Sequence, residues 1–256
     1  MGADPFNMIF QFQHSGKTYQ FDSDVYHDLS TAIRDGEENP NAYYINPPQI
    51  RPFCVGDFVG SVAQGGACNC EDITFNAHGN GTHTEGIGHI TAERIPIHHA
   101  LKDTLIMARL VTLNPKKNGA DNVLYADQLN DVNLENIQAL IIRTEPNSVD
   151  KKLAKYSGAN PCYLDPQFTK TLADRNIEHL LLDLPSVDKE EDGGALLSHR
   201  AFWNYPDNPR MTATISEMIY APQEVVDGIY LLNLQIASFD SDASPSRPIL
   251  FEITPI

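Results

Sequence analysis

The 256-residue sequence predicts a mixed α/β fold in which β-strands dominate. Strand-like runs recur along the chain, one segment carries clear helix-start signals, and that helix leads straight into a strand. Helix followed by strand is one half of a βαβ unit, whereas the flanking runs read as antiparallel meanders. No linker, repeat or heptad pattern divides the chain, so residues 1–256 are expected to form a single domain.

The elements follow in order. Ile9-Phe10-Gln11-Phe12-Gln13 alternates apolar and polar residues, turns at His14 to Lys17 and resumes at Tyr19-Gln20-Phe21, which is the pattern of a hairpin. Residues 34–52 collect Gly36, Asn39, Pro40, Asn41, Pro47, Pro48 and Pro52 and predict a long loop. Its Tyr43 and Tyr44 suit a packed loop that covers a site. Strand-like runs follow at Phe58 to Val62, Ile73 to Ala77, Thr104 to Leu113, Gln138 to Thr144 and His179 to Leu184, and then at Thr212 to Tyr220, Gly228 to Ala237 and Pro248 to Thr254. The helix starts with Asp165 as cap and Pro166 at the first position, and runs through Phe168, Leu172 and Ala173 toward Asn176. Asp188 to Asp192 and Asp240 to Asp242 lie among Gly or Ser and read as solvated acidic loops.

Composition narrows the function classes. With 18 Lys+Arg against 34 Asp+Glu the formal net charge is −16, and such a chain is repelled by phosphate backbones and anionic lipid surfaces. Neither nucleic acid nor a membrane is an expected partner. Cys54, Cys68, Cys70 and Cys162 form no Cys-x-x-Cys pair and no dense framework, so free thiols are expected. The start, Met1-Gly2-Ala3-Asp4-Pro5, lacks a basic region followed by an apolar run, and no stretch of about 18 apolar residues is present. A cytoplasmic protein is the simplest expectation, with residues 1–16 holding either the start of the hairpin or a processed end.

The chemistry concentrates in His78-Gly79-Asn80-Gly81-Thr82-His83-Thr84-Glu85-Gly86-Ile87-Gly88-His89. Imidazole nitrogen and carboxylate oxygen hold Zn²⁺, Mn²⁺ or Fe²⁺ while leaving positions open for water. In an extended segment His83, Glu85 and His89 share parity and point to one side, and the glycines let the backbone turn His78 in beside them. A phosphate-cradling loop is disfavoured, because the spacing matches neither phosphate-binding glycine motif and the segment carries no Lys or Arg. A solvated His cluster and a structural metal clip with all positions filled remain as the plainer readings.

These residues resemble the metal-binding signature of the cyclase family of metal-dependent hydrolases, which includes bacterial kynurenine formamidases and isatin hydrolases. The family pattern is His-x-Gly-Thr-His-x-Asp-x-Pro-x-His. Gly81-Thr82-His83 and His89 match it directly, and His27-Asp28-Leu29-Ser30 is similar to the family's aromatic-Asp-Leu/Ile-Ser element. Further along, Ala139 to Thr144 resembles a strand ending in Arg-Thr, and Leu182 to Asp188 resembles the Asp-x-Pro-Ser-x-Asp turn. Ser198-His199-Arg200 and Glu217 match the second pair of metal ligands. The alternation agrees at Glu217, where a carboxylate interrupts the apolar row Ile215, Ile219. A buried carboxylate is costly unless paired, and a metal offsets that cost.

Several positions depart from the pattern. His78 lies three residues before Gly81 rather than two, so its ligand role requires a one-residue bulge. Glu85 stands where the family has Asp and moves the carboxylate by about 1.5 Å, one carbon–carbon bond. Ile87 replaces Pro, and His27 occupies the place of an aromatic that lines the formamidase pocket. Metal hydrolysis stays the expected chemistry, without specifying kynurenine formamide as the substrate.

The resemblance implies a swivelling β/α/β cyclase-like fold with a dominant mixed, partly barrel-like β core. It implies His78, His83, Glu85, His199 and Glu217 as ligands of one or two divalent ions, Zn²⁺ or Mn²⁺, His89 as the proton-transfer residue, and His27 as a substrate contact. Asp183, Ser186 and Asp188 are expected to support the site or form its turn, and His98 and His99 to be structural. The reaction would be hydrolysis of an amide-type C–N bond in a small formamide, cyclic imide or lactam, by a homodimer or homotetramer. The rivals are a metal- or ligand-binding protein without turnover and an Fe²⁺ dioxygenase built on two His and one carboxylate.

Overall fold

The computed structural model describes residues 8–256, and the expectation for Met1 to Pro5 lies outside them. The opening hairpin forms as expected from β1 (Ile9–His14) and β2 (Lys17–Asp22), with Phe10 paired to Phe21. Then come β3 (Tyr26–Asp28), β4 (His83–Gly86), β5 (Leu105–Leu113), β6 (Ala139–Thr144) and β7 (His179–Leu182). The chain closes with β8 (Thr214–Glu217), β9 (Gly228–Asn233), β10 (Ala243–Pro245), β11 (Ile249–Glu252) and β12 (Thr254–Pro255). The last of these joins the hairpin as its third strand.

Nine of the strands form one sheet in the order β10-β4-β8-β7-β6-β5-β9-β11-β3. The centre, β8-β7-β6-β5, is parallel and both flanks are antiparallel. The sheet is mixed and curls strongly into a half-barrel, as the sequence resemblance implied. Parallel strands covered on both faces need apolar residues at every position. The run Ala139-Leu140-Ile141-Ile142 and the run Leu180-Leu181-Leu182 meet that need, and all seven are fully buried.

On one face Leu140, Ile142, Leu180 and Leu182 pack with Phe168, Leu172, Phe202 and Trp203; on the other, Ile141 and Leu181 pack with Ile106, Leu110 and Leu232. Each such side chain contributes about 1.5–3 kcal/mol through burial. The expected helix runs Pro166–Asp174, and the Asp165 carboxylate accepts the backbone N–H of Gln167 (2.9 Å), which satisfies a donor at the helix start.

Three differences bear on the site. A short helix, Leu197–Trp203, forms where the sequence shows no long apolar periodicity, and it is held by burial of Phe202 and Trp203. The run expected to extend to Tyr220 stops at Glu217, because Met218 adopts φ 53° and turns the chain. The loop expected over 34–52 ends in a short strand, Gln49–Pro52, paired with Glu71–Thr74. No described helix is long and apolar enough to cross a membrane.

Candidate metal centre

The site forms where β4 lies between β8 and β10. Antiparallel register sets His83 opposite Glu217 on β8, and Glu85 opposite Ala243 on β10. His83 and Glu85 share one face of β4 by strand parity, and both side chains are buried. The Thr82 hydroxyl fixes the entry to this strand, since it donates to the Met218 carbonyl (2.6 Å) and accepts the Thr31 N–H (2.8 Å). The segment after His27-Asp28 thus braces the Gly-Thr-His turn from outside.

Parity does not extend to His89. Ile87–Ile90 is a 3₁₀ turn, and this turn carries the imidazole back over Glu85. Gly88 makes the turn possible, because a Cβ there would sit 2.2 Å from the Ile95 carbonyl oxygen. His78 likewise arrives without the expected strand bulge. The extra residue is absorbed by one helical turn, Ala77–Asn80, whose second N–H, that of His78, donates to Asn76 Oδ1 (2.9 Å). His199 comes from the helix Leu197–Trp203. Asp188 holds it by accepting from His199 Nδ1 (2.6 Å) and from the Ser198 and His199 backbone N–H groups.

The structure therefore brings together His78, His83, Glu85, His89, His199 and Glu217. Glu85 is the hub, with Oε1 3.1 Å from His199 Nε2 and Oε2 3.1 Å from His78 Nδ1 and 3.7 Å from His89 Nδ1. Glu217 Oε2 lies 3.3 Å from His83 Nε2, and its Oε1 accepts the Val187 N–H (3.2 Å). The sets His78–His83–Glu85, His78–His89–Asp242 and Glu85–His89–His199 each place their donor atoms within 4.8 Å of one another.

Whether a divalent ion fits can be judged at His83. Its Nδ1 faces the Gly81 carbonyl oxygen at 3.0 Å, which only accepts, so Nδ1 carries the proton and Nε2 presents a lone pair. That buried Nε2 has no hydrogen-bond partner. A lone pair facing a carboxylate oxygen in a dry site is unfavourable unless a cation lies between them. Nitrogen and carboxylate donors without thiolates suit Zn²⁺, Mn²⁺ or Fe²⁺.

Protons occupy part of this role when no metal is bound. Burial opposes charge on His199, but hydrogen bonds to Asp188 and Glu85 outweigh it and raise the imidazole to about 10. Burial likewise opposes charge on His78, and its bonds to Asp242 and Glu85 also bring it to about 10. For Glu85, burial is outweighed by the charge of His89 and by hydrogen bonds from His199 and His78, which hold the carboxyl well below its usual range.

The cluster opens into a cavity of about 300 Å³ bordered also by Tyr43, Ile45 and Leu196. Tyr43, from the Pro-rich loop, donates its hydroxyl to the Pro185 carbonyl (3.0 Å). Burial and then the charge of Glu217 push its phenol up, so it stays protonated. A larger cavity, about 770 Å³, lies around Lys151 and Asp183. Those two charges pair with each other at 2.6 Å, so size does not mark it as the reactive site.

Two expectations change. His27 does not border the metal-centre cavity. It lies on β3, at the opposite edge of the strand order, where Nε2 bonds Glu252 (3.0 Å) and the ring stands edge-on to Tyr230. Asp242, expected in a solvated acidic loop, is drawn into the site instead, whereas Asp188 takes the supporting place expected of it rather than that of a solvated patch. Asp188 is buried against His199, and Asp242 Oδ2 reaches His78 Nε2 (2.9 Å) and His89 Nδ1 (3.2 Å). Asp242 was illegible because β10 pairing, a contact across some 150 residues, brings it there. Asp183 supports the adjoining turn by accepting from Thr144 N and Oγ1 (both 2.9 Å), while His98 bonds the Phe239 carbonyl outside the cluster.

Residues 23–189 match the family described as "Putative cyclase". The chain belongs to this cyclase family. Its fold is shared by solved cyclase-like structures at low identity. One is a "predicted metal-dependent hydrolase" from Bacillus stearothermophilus, 17% identical with TM-score 0.61, covering 89% of this chain and 98% of that one. Another is an isatin hydrolase bound to the product analogue thioisatinate, 14% identical with TM-score 0.61, covering 90% and 92%. Isatin hydrolase A from Ralstonia solanacearum is 12% identical with TM-score 0.63, covering 89% and 91%. No curated protein matches the sequence.

Proposed function

We propose that this cyclase-family chain is a metal-dependent hydrolase that cleaves an amide-type C–N bond in a small neutral formamide, cyclic imide or lactam, using one or two Zn²⁺ or Mn²⁺ ions. The observation that carries the reading is the buried, unpartnered His83 Nε2 aimed at Glu217 beside the Glu85 hub. His78, His83, Glu85, His199 and Glu217 would hold the ions. A bound divalent ion supplies a Lewis acid for the carbonyl and lowers the pKa of water to about 7.

The remaining work falls to the chain's own groups. His89 borders the cavity and is placed to pass a proton to the leaving nitrogen. Tyr43 and Leu196 supply apolar cover on a cavity at the small end of the ligand-site range, which suits a substrate of one or two rings. Glu190 and Asp192 also border this cavity, and the one lysine there, Lys189, is paired with Asp121 (2.8 Å), so a neutral substrate is favoured over an anionic one. Three of the structural neighbours are isatin hydrolases, and isatin is itself a cyclic amide.

The test is elemental analysis of the purified protein together with a hydrolysis screen of N-formyl aromatic amines, cyclic imides and lactams. Bound metal and turnover of one class are expected. A protein that takes up neither Zn²⁺ nor Mn²⁺ and hydrolyses none of these after reconstitution would overturn the reading.

A further inference from the structure

We propose that Asp242 is a positioning residue that fixes which nitrogen of His78 and which of His89 carries the proton. The inference rests on the metal-centre reading above. Asp242 Oδ2 lies 2.9 Å from His78 Nε2 and 3.2 Å from His89 Nδ1, so one carboxylate oxygen serves both rings. An ionised carboxylate only accepts, and each bond therefore requires a proton on the ring nitrogen.

The consequence differs for the two rings. Where a divalent ion replaces the second proton of His78, the bond from Nε2 to Asp242 would leave the Nδ1 lone pair on the side of Glu85, 3.1 Å away at the hub of the candidate centre. With Nδ1 protonated, His89 keeps Nε2 free for proton transfer in the cavity. Asp242 thereby assigns His78 to ligation and His89 to proton transfer.

The arrangement repeats a rule visible at the other rings. His83 ties Nδ1 to the Gly81 carbonyl, and His199 ties Nδ1 to Asp188. Outer hydrogen bonds of this type orient metal-ligating imidazoles and strengthen them as ligands. Asp242 is itself held. The Ser241 hydroxyl donates to its Oδ1 (3.1 Å), its backbone carbonyl accepts the Gly86 N–H (3.0 Å), and β10 begins at the next residue. This fixed placement sets Asp242 apart from Asp240, an exposed neighbour that sits beside Arg94.

The experiment compares wild type, Asp242→Asn and Asp240→Asn, each removing the same formal charge in the two variants. Titration calorimetry with Zn²⁺ and Mn²⁺, and the absorption spectrum of the Co²⁺ forms, are read alongside the melting of the chelated proteins. Asp242→Asn is expected to bind metal about 10–100-fold more weakly and to change the Co²⁺ spectrum, with a chelated melting point like wild type. Asp240→Asn should match wild type throughout.

Histidine ¹⁵N spectra of the Zn²⁺-loaded wild type need no variant at the Asp242 position and keep the proposal testable if Asp242→Asn fails to fold. They should show His78 as the Nε2–H form and His89 as the Nδ1–H form, assigned with a His89→Gln sample. Metal binding with the opposite tautomers, or unchanged affinity and spectrum in Asp242→Asn, would overturn this inference alone. Absence of metal uptake by wild type would instead overturn the metal-centre reading beneath it.

Discussion

Glu85 is the residue on which the site turns, since its two oxygens face three imidazoles in a position shut off from water. His89 differs from the other rings in bordering the cavity without bonding its Nε2, and that difference separates turnover from mere binding. His89→Gln should keep the metal content of wild type while kcat falls by about 10²–10⁴-fold, the usual worth of a positioned acid–base group. Equal rates in both proteins, measured on any substrate from the screen, would leave a binding protein without turnover as the better description. At this scale the sequence showed most of the site. Seven of its residues lie in named motifs, because ligand chemistry restricts residue type. Asp242 lies outside any motif, and its role depends on strand pairing that local spacing cannot reveal. His27 lies away from the metal-centre cavity, because a motif position does not say where its strand ends up in a curled sheet.

At the level of elements, alternation located the opening hairpin and continuous apolar runs located the central strands, while the short site strands β4 and β10 and the turns beside them carry neither pattern. Gly86 ends β4 and Gly88 lies within the 3₁₀ turn Ile87–Ile90, which has no hydrophobic signature. Gly88→Ala tests the turn directly. The added methyl would meet the Ile95 carbonyl at 2.2 Å, so the backbone carrying His89 must move. A stability loss of about 1–3 kcal/mol is expected, with kcat reduced more than metal affinity. Strand pairing is tested at His179 on β7, whose Nδ1 bonds the Thr214 hydroxyl (2.9 Å) and whose buried Nε2 lacks a partner. Burial is the main reason its pKa falls from 6.5 to about 4, with Asp103 opposing and Arg210 assisting. Because the folded state resists protonation, this group costs nothing above pH 6.5 and lowers stability progressively as pH drops toward 4. Urea unfolding at pH 7 and pH 5 should show His179→Gln losing about 2 kcal/mol less than wild type over that interval. An identical loss in both proteins would show that His179 is not held neutral.

The whole molecule joins distant parts of the chain at one point. His78 to His89, Asp188, His199, Glu217 and Asp242 come from five separate segments, and the curl of the sheet carries them together. The formal charge of −16 has a local counterpart there, as Glu85, Asp188, Glu217 and Asp242 face four imidazoles. With neutral rings the four carboxylates repel one another, and the protons on His78 and His199 relieve the repulsion in part. A divalent ion relieves it more fully and also ties the segments to each other. An ion that binds the folded chain and not the unfolded one stabilises it by about 4 kcal/mol at 1,000 times its dissociation constant. For a chain of this size that corresponds to a rise of roughly 8–16 °C in melting temperature. Melting followed with added Zn²⁺ or Mn²⁺, and again after chelation, should therefore differ by about 10 °C. The gap should shrink in Glu85→Gln, which removes the shared carboxylate, and stay at the wild-type value in Asp240→Asn, which removes an exposed one. Equal melting temperatures with and without chelator would mean that the six residues converge for a reason other than holding a metal.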